Sequence, residues 1–159
     1  MAEAANGAVS ALPYSAALDT PANKKFVAQY NKRYGKDPSW AAQCSYISIM
    51  FIVKALERVK GKVDRASFLA SLKSTELKDS PRGPLKLDAY GNPIENIYVR
   101  KVEKVSGKFQ NTVIHTFPMV SQFWKFKPAD ILNEPTFSKD LPPCRYCSEP
   151  ARNSGGTPE

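Results

Sequence analysis

The stretch Pro38–Lys60, PSWAAQCSYISIMFIVKALERVK, constrains this chain more than any other. Ser39 suits an N-cap, because a serine oxygen can accept from the free N–H groups of a first helical turn. Gly61 suits a stop, because glycine takes the left-handed conformation at low cost. With no Gly or Pro between them, about 20 residues give a helix roughly 30 Å long. Its first two-thirds carry no charge, and Ala41, Ala42, Cys44, Tyr46, Ile47, Ile49, Met50, Phe51, Ile52 and Val53 cover nearly the whole circumference. A polar face opens only afterwards, at Lys54, Glu57, Arg58 and Lys60. A helix apolar all round calls for cover all round. The membrane is a poor source of that cover: the uncharged run of about 15 residues is shorter than the ~20 a span needs. The expectation is a central helix of a protein core.

The remaining elements are short. Val9 lies in a strand over Gly7–Tyr14 that Pro13 ends. Thr20-Pro21 starts a helix, PANKKFVAQYNKRY, with Phe26, Val27, Tyr30 and Tyr34 as its stripe and Gly35 as its stop. Asp64 caps a third helix, RASFLASLKS, with Phe68, Leu69 and Leu72 inward. Residues 76–84 read as loop. Leu85–Leu87, Asn96–Val105 and Phe109–Phe117 read as strands of a small antiparallel meander, turned at DAYGNP and at Ser106-Gly107. From Pro118 the chain becomes proline-rich, with Phe123, Trp124 and Phe126 available to pin its first part. The expected division is a disordered start over 1–6, a domain over 7–128 and a tail over 129–159 whose last part is disordered.

No catalytic constellation is present. The chain lacks a glycine-rich phosphate loop, an H-E-x-x-H and a G-x-S-x-G elbow, so no enzymatic activity is expected. His115, the single histidine, reads as structural, and the carboxylates of Asp88 and Glu95 as solvated. Cys44 reads as a buried core thiol. Cys144 and Cys147 form a C-x-x-C that supplies two metal ligands rather than four, so neither a metal nor a cofactor is expected. The charge of +8 invites a nucleic-acid reading, but the Lys and Arg residues are scattered and no binding motif accompanies them. No nucleic-acid partner is expected.

Three runs carry a family resemblance: DTPANKKFVAQYNKRYGKDPS, then AAQCSYISIMFIVKALERV, then DSPRGPLKLDAYGNPIENIYVRKVEKVSGKF with the following TFP. In this order they resemble the C-terminal part of the type I periplasmic solute-binding proteins of ABC importers, the branched-chain amino acid (Leu/Ile/Val-binding) family. The resemblance implies an α/β fold. This chain would hold helices of the first lobe, hinge strands and a small antiparallel meander, and would lack most of both sheets. It implies binding of an amino acid or a small or aromatic carboxylate, delivery to an ABC permease, and a periplasmic location. No signal peptide is visible at the N-terminus, so the chain as written is expected in the cytoplasm, as a fragment of the larger fold. On these positions the family's cleft-facing residues are Trp40, Ala41, Ala42 and Gln43, with Tyr14 a further candidate. The alternative expectation is a half-fold that binds no solute and buries its apolar surface as a homo-oligomer, by simple dimerisation or by exchanging elements.

Overall fold

The computed structural model of the protein describes residues 3–134. A turn of 3-10 helix at Glu3–Ala5 leads into β1 (Val9–Leu12), and three helices follow: α1 (Pro21–Tyr34), α2 (Trp40–Arg58) and α3 (Arg65–Lys73). Then come β2 (Glu76–Leu77), β3 (Leu85–Leu87), β4 (Pro93–Val105), β5 (Lys108–Val120) and a short α4 (Pro128–Leu132). The chain divides into two units, one up to Gln122 and one from Phe123 onward.

The caps set the helix limits. Thr20 accepts from the N–H of Asn23, Ser39 from that of Ala42, and Asp64 from that of Ser67, whose hydroxyl returns a capping-box bond. Gly35 ends α1 at φ 66° with its N–H on the Asn31 carbonyl.

The five strands form one antiparallel sheet built on β4. Val99 of β4 pairs with both Ala11 and His115, and Glu95 with both Leu85 and Val120, so β1 and β3 lie end to end along one edge of β4 and β5 lines the other. A two-residue turn, Ser106-Gly107, joins β4 to β5 with both residues at positive φ, the twist a tight hairpin requires. Register shifts leave an extra residue on β5 at Ile114 and another at Pro118–Met119. Asn96 Oδ1 accepts the N–H of Met119 at 3.0 Å and so holds the second bulge.

Two small cores result. Tyr14, Leu18 and Phe26 pack against Tyr98 of β4, and Ile47 and Phe51 of α2 pack against Leu77 and Leu85. The rings of Phe26 and Tyr46, 4.7 Å apart, connect α1 to α2.

Several expectations are corrected. Leu69 of α3 is exposed, because only Phe68 and Leu72 turn inward, and these only partly. The segment read as loop contains β2, which buries Leu77. β5 runs past Pro118 to Val120, because the bulge absorbs the proline. His115, read as structural, is not among these corrections: it lies in β5 with its ring edge-on to Phe117. Cys44 is half-buried rather than fully buried, and Glu95 is buried rather than solvated. In the second unit Phe123 is buried, while Trp124 and Phe126 are exposed. Cys144, Cys147 and the tail's end lie outside the described residues.

Candidate functional site

The first turn of α2 is the place where the candidate residues meet. In any α-helix the leading N–H groups have no partner inside the helix. Here Ser39 Oγ takes the N–H of Ala42 at 3.2 Å, leaving those of Trp40 and Ala41 directed out of the helix end. No acidic residue stands in this turn, so the positive end of the helix dipole has no counter-charge from α2 itself. Trp40 is 47 % exposed beside it, Ala41 is exposed and Ala42 half-buried. An open helix start, small side chains and an indole suit a planar, anionic guest.

Gln43 has a different surrounding. It begins the buried stripe of α2, Gln43–Ile47–Phe51–Ala55, and is fully buried. Its Oε1 accepts from Arg82 Nη2 at 2.8 Å and from Nε at 3.2 Å. Arg82 also pairs with Glu95 through Nη1 and donates to Cys44 Sγ at 2.8 Å. The Arg82 carbonyl accepts from the Tyr98 hydroxyl at 2.6 Å. These contacts tie α2, the Ser80–Gly83 turn and β4 into one desolvated polar knot directly behind the open turn. The Gln43 Nε2 atom is buried there without a hydrogen-bond partner among the described residues. Arg82 and Glu95 were not legible as buried partners of Gln43 and of each other. The one available signal was a polar Gln43 at the head of an apolar stripe, since a buried amide requires a partner.

Tyr14 sits in the other core, with Leu18, Phe26 and Tyr98, and is 2 % exposed. Its hydroxyl has no partner among the described residues, and burial, together with the Asp37 charge, pushes its pKa well above the ordinary tyrosine value. The structure thus groups Trp40, Ala41 and Ala42 at an open turn, places Gln43 behind them, and puts Tyr14 in a separate cluster. Among the described residues no set of three or more His, Cys, Asp or Glu could hold a metal ion, and no helix is long and apolar enough to cross a membrane.

The model of one family, the periplasmic binding proteins, matches residues 1–108 of this chain. The chain belongs to the periplasmic binding protein family. That family is one of binding proteins, not of enzymes. A relative in Brucella abortus, named Leu/Ile/Val-binding protein homolog 6, is 34% identical over 121 residues, which are 74% of this chain and 31% of that protein. A solute-binding protein of an ABC transporter from Rhodopseudomonas palustris BisB5, solved with 3,4-dihydroxybenzoic acid, superposes with TM-score 0.71 at 40% identity. That match covers 75% of this chain and 33% of the other. A second R. palustris solute-binding protein, solved with 4-hydroxybenzoate, gives TM-score 0.66 at 32% identity over 74% of this chain and 32% of the other. The chain therefore spans about a third of the length of the periplasmic binding proteins it matches. The match bears out the expected mixed α/β architecture at that scale, an antiparallel sheet with helices.

Proposed function

We propose that this chain forms part of the solute-binding surface of an ABC importer's periplasmic binding protein, and that the solute is a small aromatic carboxylate. The observation that carries this reading is its 40% identity to a solute-binding protein solved with 3,4-dihydroxybenzoic acid. The geometry at α2 supports it. Trp40 offers a face for a ring, the N–H groups of Trp40 and Ala41 suit a carboxylate, and Ala41 and Ala42 leave room for it. Gln43 acts from behind, holding the turn against Arg82, and Tyr14 stiffens the strand end on the other side of Phe26. An amino acid such as leucine is the alternative solute. The bound solute is then presented to the importer's permease in the periplasm.

A thermal-shift screen of the 159-residue chain against aromatic carboxylates and branched-chain amino acids tests the proposal. The expected result is a saturable rise in melting temperature with the aromatic acids, worth about 2.7 kcal/mol at a hundredfold excess over Kd, and reduced in Trp40→Ala. A cooperative melt that no compound shifts would sink it.

A second reading is favoured by one observation. Ile49, Ile52, Val53 and Leu56 lie exposed along one side of α2. In this reading the chain buries that face against a second copy and binds no solute.

A further inference from the structure

α1 and α2 together carry an aromatic feature that the reading above does not use. Phe26, Tyr30 and Tyr34 repeat every four residues along α1, with ring centres 6.0 and then 4.5 Å apart. Tyr46 of α2 joins this ladder at Phe26. The ladder's inner end is buried, whereas Tyr34 and Tyr46 are 53 % and 41 % exposed around a recess of about 290 Å³ floored by Ala42. Gln29 and Arg33 complete its rim. The Arg33 guanidinium stands 5.6 Å from the centre of the Tyr34 ring and pairs with no carboxylate among the described residues.

Among the described residues lining the recess, Arg33 carries the charge. From Thr20 to Tyr46 the sequence contains a single acid, Asp37, against Lys24, Lys25, Lys32, Arg33 and Lys36, of which Lys24 is held by Asp19. Asp37 is already engaged by Lys108 and by Asn31. None of the residues lining the recess is acidic. Phe26, Tyr30, Tyr34 and Tyr46 line an open recess, a lining that suits the face of a single ring.

We propose that this recess is a second, separate ligand site that takes a single-ring aromatic carboxylate. The ring lies against the Tyr34 and Tyr46 faces, the carboxylate pairs with Arg33, and Gln29 supplies a neutral hydrogen bond. Tyrosine faces accept an aromatic guest in offset or edge-on contact, and a planar guanidinium matches a carboxylate in two parallel bonds. The recess borders the site proposed at the start of α2 through Ala42, but its ring and charge contacts are its own: Arg33, Tyr34 and Tyr46 take no part there, and Trp40 does not line the recess.

The test is ligand-observed NMR with benzoate as the probe and benzamide as its neutral control, in the Trp40→Ala background so that capture at the α2 start does not contribute. Circular dichroism melts check that each variant is folded. Benzoate is expected to bind saturably and benzamide much more weakly. Arg33→Gln should weaken benzoate by about tenfold or more, the weight of one charged hydrogen bond. Tyr34→Ala, at an exposed ring, should weaken benzoate and benzamide alike. Equal binding of the two probes, or benzoate binding unmoved by Arg33→Gln and Tyr34→Ala, overturns the recess. Loss of all benzoate binding in Trp40→Ala, with binding present in the unaltered chain, also overturns it and supports the α2 site instead. No binding by either protein overturns both.

Discussion

Arg82 shows how much one residue can decide in a chain with two small cores. Its guanidinium is almost entirely out of water, and its charge is answered by Glu95, also buried. Removing one partner of such a pair leaves the other charged and desolvated, which costs far more than the pair itself contributes. Arg82→Ala is therefore expected to destabilise the chain by about 3–5 kcal/mol, read from urea unfolding. Glu95→Ala should cost a similar amount, and the double variant clearly less than the sum. A loss below about 1 kcal/mol for Arg82→Ala would mean that water reaches the pair. This knot was largely illegible in the sequence. Glu95 follows a turn and Arg82 stands between a proline and a glycine, so local pattern makes both look solvated. Their burial depends on strands and a helix far apart in the chain meeting. Trp40, Ala41 and Ala42, by contrast, owe their place at an open turn to the Ser39 cap, and a cap is a local feature.

The elements were legible wherever a chemical stop or start marks them. Thr20-Pro21, Asp64 and Ser106-Gly107 each impose a backbone state on their own neighbours, and the structure has α1, α3 and the hairpin turn there. β2 and the end of β5 were missed for the converse reason. A two-residue strand has no period to read, and Pro118 is tolerated only because a bulge forms around it. One contact reaches between elements at the surface. Asp37, in the α1–α2 connection, receives Lys108 of the hairpin at 2.6 Å and the Asn31 amide at 2.9 Å. The Lys108 hydrogen bond, against an opposing contribution from partial burial and with further help from Asn31, holds the Asp37 carboxyl below the ordinary aspartate range. With its folded pKa below the unfolded one, the unfolded chain binds more protons in acid. The stabilisation is then complete above the unfolded value of about 4 and is lost as pH falls through the folded value. Asp37→Asn is expected to lower stability at pH 7 by about 0.5 kcal/mol, in keeping with a partly exposed pair. The gap between the two proteins' melting temperatures should close as pH falls below about 4. A gap that stays constant from neutral pH into strong acid would assign the effect to the lost shape of the side chain, not to its charge.

At the scale of the whole molecule the open question is what covers α2. Gln43, Ile47, Phe51 and Ala55 are buried, yet Ile49, Ile52, Val53 and Leu56 are exposed on the same helix. The uncharged circumference that marked this helix in the sequence thus meets protein on only part of its surface. In periplasmic binding proteins more than twice as long there is ample further chain to supply the rest. The 159-residue chain on its own has water or another copy of itself as the alternatives, and four adjacent large aliphatic side chains favour the copy. A stable association buries on the order of 1,200–2,000 Å² in total, which this face can seed but needs neighbours from the sheet to complete. Sedimentation velocity of the chain should therefore show a species larger than a monomer that dissociates on dilution. Ile52→Lys, which adds a charge at the centre of the face, should shift it to monomer while preserving the far-ultraviolet spectrum. A compact monomer at high concentration would rule out self-association and leave this face of α2 for the remainder of a periplasmic binding fold to cover.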